Sequence, residues 1–90
     1  MATVLIPTAL RKFTGEQAEI VAAGATAGEV LKALGDAYPA LGAQIFDNGK
    51  IRGFVNVFVG DEDIRFLDGE ATPVKDSDEV TLIPAIAGGF

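Results

Sequence analysis

The residues of this chain with the most distinctive chemistry form its last stretch, Ala85-Ile86-Ala87-Gly88-Gly89-Phe90, directly after an apolar run that ends at Pro84. Glycine has no Cβ, reaches backbone conformations that other residues avoid, and is costly to order. Two adjacent glycines fit no regular element, and two readings are open. Terminal residues that nothing ties down fray, and the pair is then a loose end. Alternatively, a thin tail is there to be threaded into another protein's active site, where a glycine carboxyl has no side chain to hinder attack on it.

Conventional catalytic groups are scarce. The chain has no Cys and no His. That excludes a disulfide frame, a thiolate nucleophile, an iron–sulfur cluster and a Cys-based zinc site, and it removes the commonest general base. The single serine, Ser77, has no histidine to activate it. No catalytic residue is therefore assigned, and no bound cofactor is expected.

Of the thirteen acids, eight lie between Asp61 and Glu79, where the only bases are Arg65 and Lys75. Asp76-Ser77-Asp78-Glu79 lacks the ligand spacing and central glycine of a calcium-binding loop, so no metal site is expected there. A net charge of −6 repels a phosphate backbone and argues against a nucleic-acid partner. The acidic stretch is either a solubilising face or a docking face for a basic partner. No apolar run approaches the roughly 18 residues of a spanning helix, and no membrane association is expected. Met1 to Pro7 show neither a basic region nor a cleavage site, so the expected compartment is the cytoplasm.

The elements that would hold the tail can be read along the chain. Thr3 to Pro7 is a short buried strand, Thr8 to Gly15 a polar connection, and Glu19 to Ala22 a second strand paired with the first as a hairpin. Thr26-Ala27-Gly28-Glu29 is a capping box, with the Thr26 hydroxyl and Glu29 N–H, and the Glu29 carboxylate and Thr26 N–H, satisfying each other. Val30, Leu34, Ala37 and Tyr38 then follow at helical spacing, with Leu31 widening the face. The helix runs from near Thr26 to near Tyr38, where Pro39 stops it. Gly28 and Gly35 each weaken it by about 1 kcal/mol relative to Ala, so packing must hold it. Pro39 to Phe46 allows a further short turn of helix, and Asp47-Asn48-Gly49 is a turn.

Phe54 to Val59 is the clearest strand, with Val55, Val57 and Val59 on one face and Phe54, Asn56 and Phe58 on the other. Gly60 to Asp63 turns the chain, Ile64 to Phe66 is a short strand, and Asp68-Gly69 is a further turn. Val80 to Ile83 is the last strand. One helix on one face of a mixed sheet, with an antiparallel first hairpin and a last strand returning parallel to the first, is an α+β layout of the β-grasp, or ubiquitin-like, type. The glycine and proline breaks at Gly60, Gly69 and Pro73 leave no room for the second full helix of a ferredoxin-like layout. The domain is residues 1–84 and the tail residues 85–90, which are expected to be mobile.

The chain resembles the ubiquitin-like sulfur carriers of the MoaD/ThiS group, and within it the CysO-type branch that supplies sulfur for cysteine biosynthesis. The residues that carry the resemblance span nearly the whole chain: Ile6-Pro7-Thr8 with Leu10-Arg11, Thr14-Gly15, Phe54-Val55-Asn56, Asp61-Glu62-Asp63-Ile64-Arg65-Phe66, Asp78 with Val80-Thr81, and Ile83 through Gly89. The resemblance implies a protein co-substrate, not an enzyme. An E1-like adenylyltransferase and sulfurtransferase would activate the Gly89 carboxylate with ATP, and sulfur would displace AMP to leave a thiocarboxylate. Gly88 and Ala87 would keep the tail slim enough to thread. The implied sulfur acceptor is a PLP-dependent cysteine synthase.

The pattern differs at one point, because Phe90 follows Gly89 and locks its carbonyl in a peptide bond. The resemblance then implies a proform, with Gly89–Phe90 as a processing site for a JAMM-type zinc metallopeptidase. Strand alternation places Phe54, Phe58, Thr81 and Ile83 on the open face beside the tail, where aromatic residues suit a partner interface. Two other functions share this architecture: the small subunit of molybdopterin synthase, and a β-grasp interaction module whose tail is never activated.

Overall fold

The computed structural model describes residues 1–51 and 55–84. Strand β1 (Ala2–Leu5) pairs antiparallel with β2 (Glu19–Ala22), Ala2 opposite Ala22 and Leu5 opposite Glu19. Helices α1 (Ala27–Ala37) and α2 (Pro39–Ile45) follow. A two-residue ladder joins β3 (Phe46–Asp47) to β4 (Lys50–Ile51), and then come β5 (Val55–Val59), β6 (Glu62–Asp63) and β7 (Glu79–Pro84). The main sheet has the order β2-β1-β7-β5-β6, with β7 parallel to β1 and antiparallel to β5. This is the β-grasp fold, with the last strand in the middle of the sheet. Strand β5 is interior, although β6 covers it only at Phe58 and Val59.

Helix α1 begins at the expected cap. Thr26 is extended, and its Oγ1 accepts the Glu29 N–H at 3.3 Å. The other half of the expected capping box is different: Glu29 Oε1 accepts from the N–H of Ala25, at 3.2 Å, and not from that of Thr26. Residues 25–27 enter the helix alongside 72–74, with the Ala27 N–H on the Thr72 carbonyl and the Val74 N–H on the Ala25 carbonyl. In that extended approach the Ala25 N–H is the donor turned toward Glu29. Val30, Leu31 and Leu34 are fully buried on the sheet, as their spacing requires. Pro39 holds Tyr38 out of the helical region at φ −130° and ψ 81°, and the chain restarts as α2.

Gly35 of α1 and Gly42 of α2 allow close packing of the two helices. A Cβ on Gly35 would lie 3.2 Å from the Gly42 Cα, and one on Gly42 would lie 3.0 Å from the Gly35 Cα. The missing side chains let α2 fold back against α1, burying Leu41 and Ile45. Asn48 and Gly49 both have positive φ (53° and 80°) between paired Asp47 and Lys50, the geometry of a two-residue hairpin turn.

Two expected elements are corrected. Thr8–Phe13 is not an open polar connection but a 3₁₀ helix with Leu10 buried in the core. Its end is fastened by Thr14, which is fully buried, its hydroxyl 3.1 Å from the carbonyls of both Arg11 and Gln17. Ile64–Phe66 is likewise a 3₁₀ turn and not a strand, while Glu62 and Asp63, read as part of a turn, form β6. The cause is local: the Asp63 carboxylate accepts the Arg65 N–H at 2.9 Å, which turns the backbone out of the ladder.

Among the described glycines Gly24, which joins β2 to α1, has the closest backbone approach. A Cβ there would lie 2.6 Å from the Val30 nitrogen and 2.9 Å from the Glu29 carbonyl carbon, both backbone atoms of the first helical turn. Gly24→Ala should therefore reduce unfolding free energy by about 1–3 kcal/mol, read from the shift of a denaturant midpoint at constant slope. A midpoint equal to that of the unsubstituted chain would contradict the packing described.

Candidate functional site

The site is the open face of the sheet around β7, the strand that leads into the tail. Along β7, Val80 and Leu82 are fully buried toward α1, Thr81 is half-buried on the other face, and Ile83 is 44% exposed there. The register with β5 puts Phe58 opposite Thr81 and Asn56 opposite Ile83. On the other side of β7, Leu5 lies opposite Thr81. One row across the sheet thus reads Leu5, Thr81, Phe58, with Asn56 and Ile83 one step nearer the tail. The alternation read from sequence is right for Val55, Val57, Val80 and Leu82 on the helix side, and for Phe58, Thr81 and Ile83 on the open side.

Leu5 is an addition. The run Thr3 to Pro7 reads as a short buried strand, yet within it only Val4 and Ile6 are buried on the core side, and Leu5 is half-buried beside Thr81. Period-two alternation within that run was the available signal. Phe54, Ala87, Gly88, Gly89 and Phe90 lie outside the described residues, as does the expected mobility of residues 85–90. The last described residue, Pro84 on the central strand of the sheet, pairs with Val55.

The rim of this face is charged. Asp63 stands opposite Phe58 across β5 and β6. Its carboxylate takes the Arg65 backbone N–H at 2.9 Å and the Arg65 guanidinium at 3.4 Å. The hydrogen bond from the Arg65 backbone N–H is the main reason this carboxyl lies below the ordinary carboxylate value; desolvation opposes it, and the Arg65 guanidinium adds to the lowering. Farther away, two acids of the Asp76 to Glu79 stretch are engaged. Asp78 accepts the Lys75 N–H at 2.9 Å, and Asp76 meets the N-terminal ammonium at 2.7 Å, which lowers its value too. Among the described residues no three acidic side chains converge as a metal-binding group.

Comparison with known proteins follows the same geometry. The model of the ThiS family matches residues 4–89. The chain belongs to the ThiS family. It is 46% identical to the sulfur carrier protein CysO of Mycobacterium tuberculosis (strain ATCC 25618 / H37Rv), over 97% of each chain. Among solved structures it is similar to a chain of the BexX/CysO complex of Amycolatopsis orientalis, with a TM-score of 0.90 and 40% identity over 99% of this chain and 100% of that one. It is also similar to the crystal structure of Mycobacterium tuberculosis CysO, with a TM-score of 0.87 and 43% identity over 96% of this chain and 100% of that one. The family match ends at Gly89 and leaves Phe90 outside it.

Two measurements test the site geometry. Val57→Ser should cost about 3 kcal/mol of stability and Phe58→Ser about 1 kcal/mol, because one side chain fills the core and the other only borders it. Equal losses would mean that the faces are not divided as described. Serine is the cleaner probe at position 58, since an aspartate would stand opposite Asp63 as a like charge. For Asp63, a folded value below the unfolded one means that its contribution is complete above the ordinary carboxylate range and is lost as pH falls through the lowered value. The Arg65 amide resonance should therefore titrate with a midpoint below 3.8, and Asp63→Ala should abolish that titration.

Proposed function

We propose that this chain is a sulfur-carrier protein, a co-substrate whose reactive atom is the Gly89 carboxyl carbon. The observation that carries the reading is the extent of the family match: it runs through Gly88 and stops at Gly89, in a chain 46% identical to a sulfur carrier over 97% of both. The absence of Cys and His fits this role, because a carrier supplies no acid, base or nucleophile of its own. Its carboxylate oxygen attacks the ATP α-phosphorus on an E1-like enzyme, and pyrophosphate leaves. A sulfur nucleophile then adds to the acyl-adenylate carbonyl and expels AMP, leaving the thiocarboxylate. On a PLP-dependent cysteine synthase the thiocarboxylate sulfur would bond to the β-carbon of an activated serine derivative, whose β-leaving group departs, and hydrolysis of the remaining acyl bond would release cysteine and return the Gly89 carboxylate. The cytoplasm, where ATP is at hand, is the proposed compartment.

The Gly89 carbonyl is an amide while Phe90 is attached, whatever else follows. An amide carbonyl has no anionic oxygen to attack phosphorus, so hydrolysis of Gly89–Phe90 must come first. A JAMM-type zinc metallopeptidase is the proposed processing enzyme. The open face of Leu5, Phe58, Thr81 and Ile83 is the proposed contact with the activating enzyme. The Amycolatopsis orientalis BexX/CysO complex supports docking of this kind of protein on a larger partner.

The test is ATP–pyrophosphate exchange with the E1-like enzyme of the same genome, run on the 90-residue chain and on one ending at Gly89. Exchange should appear only with the shorter chain, and Gly89→Ala in that chain should reduce it by crowding the threaded tail. Equal exchange with both would overturn the processing step and make Phe90 the activated residue. No exchange with either, from an enzyme active on its own carrier, would leave an interaction module whose tail is never activated. Intact mass after incubation with a sulfur donor should show one terminal oxygen replaced by sulfur.

A further inference from the structure

Phe66 is 86% exposed, and Leu67 beside it is 41% exposed. They sit on the 3₁₀ turn that follows β6, at the outer edge of β5. An aromatic ring left in water forgoes the stabilisation its burial would bring, yet this one is held there by a built device. Ile64, two residues earlier, is buried and roots the turn in the core. Asp63 caps the turn through the Arg65 N–H, and its carboxylate also ties down the Arg65 side chain. The Leu67 N–H closes the turn on the Ile64 carbonyl at 3.0 Å. The ring is thus presented on a braced knuckle, so little backbone order remains to be imposed when a partner covers it.

The charges around the ring select the partner. Asp61, Glu62 and Asp68 are exposed, and no salt bridge engages them among the described residues. The one cation of the knuckle, Arg65, is paired with Asp63. An exposed Phe in an acidic surround fits an apolar pocket with a Lys- and Arg-bearing rim. It does not fit a second copy of a chain whose net charge is −6, nor an anionic surface. The position selects further. Asp63, the root of the knuckle, stands directly opposite Phe58, so a protein surface that covers Phe58 and Thr81 reaches the knuckle at its edge.

We propose that the Asp63–Leu67 knuckle is a second anchor for the activating enzyme, with Phe66 seated in a basic-rimmed apolar pocket of that enzyme. The proposal rests on the sulfur-carrier reading above and adds to it a contact outside the open face. An anchor of this kind carries binding energy and no chemistry, since Phe66 is not part of the reacting tail.

The experiment is ATP–pyrophosphate exchange by the E1-like enzyme of the same genome, with the chain ending at Gly89 as variable substrate. Phe66→Ser should raise the KM for the carrier about tenfold or more with kcat unchanged. Its melting temperature should match that of the parent, because the ring touches little in the free chain. The triple variant Asp61→Asn, Glu62→Gln, Asp68→Asn should raise KM at low ionic strength and lose that effect at high ionic strength. Normal exchange by the parent chain together with an unchanged KM for Phe66→Ser overturns the anchor and leaves the sulfur-carrier reading standing. Absence of exchange by the parent chain overturns that reading, and with it the partner named here. Weakened binding to the sulfur-acceptor enzyme alone, or loss of a parent dimer seen in sedimentation, would assign the knuckle to that occupant and overturn the activating enzyme.

Discussion

The fold turns on the pairing of β7 with both β1 and β5. Thr3 stands beside Glu79 and Leu5 beside Thr81 on one flank, while Val59 through Val55 pair with Val80 through Pro84 on the other. The last strand is therefore the middle of the sheet, and the sheet cannot close until almost the whole chain is present. Contacts so far apart in sequence are entropically late ones. What holds them is burial: Val4, Val57, Val80 and Leu82 form one layer under Val30, Leu31 and Leu34 of α1. Glu79 to Thr81 pair with β1, whereas Leu82 to Pro84, the end nearest the tail, pair with β5 alone.

Regular periodicity was legible in the sequence, and irregular hydrogen bonding was not. Thr26, Val30 and Leu34 announced the helix, and the valines of β5 announced its buried face. The two 3₁₀ turns were missed because each depends on one local contact that no period reveals. At Asp63 the deciding contact is a carboxylate on a backbone N–H two residues on. At Thr8–Phe13 it is a buried leucine in a stretch that reads as polar overall. Gly35 and Gly42 illustrate a further limit. From sequence Gly35 registers only as a cost in helix propensity, whereas in three dimensions the pair sets how closely α2 approaches α1.

The candidate site divides in the same way. Alternation was enough to separate Phe58, Thr81 and Ile83 from Val57, Val80 and Leu82, because one face of the sheet is covered by a helix and the other is not. Leu5 escaped notice because it sits in a continuous apolar run, where alternation is masked. Phe66 could be read as part of a motif but not as an exposed ring, since its exposure follows from the Asp63 cap that turns the chain outward. The Gly88-Gly89 pair stands out in the sequence by residue type alone.

The chemistry proposed for the tail and the stability of the domain reside in different atoms, yet β7 couples them. Side chains on a strand alternate, so a one-residue slip of β7 against β5 would drive Thr81 and Ile83 into the core and push Val80 and Leu82 out. Burial of those two aliphatic residues thus fixes which face Thr81 and Ile83 present, and also the register that sets Pro84 beside Val55. Under the sulfur-carrier reading, a partner that grips Leu5, Phe58 and Thr81 meets Gly89 at a set number of residues beyond its grip. The core then acts as the ruler for the reaction. A carrier without catalytic side chains needs no more than that from its fold: a recognisable face and a carboxyl at a fixed reach from it.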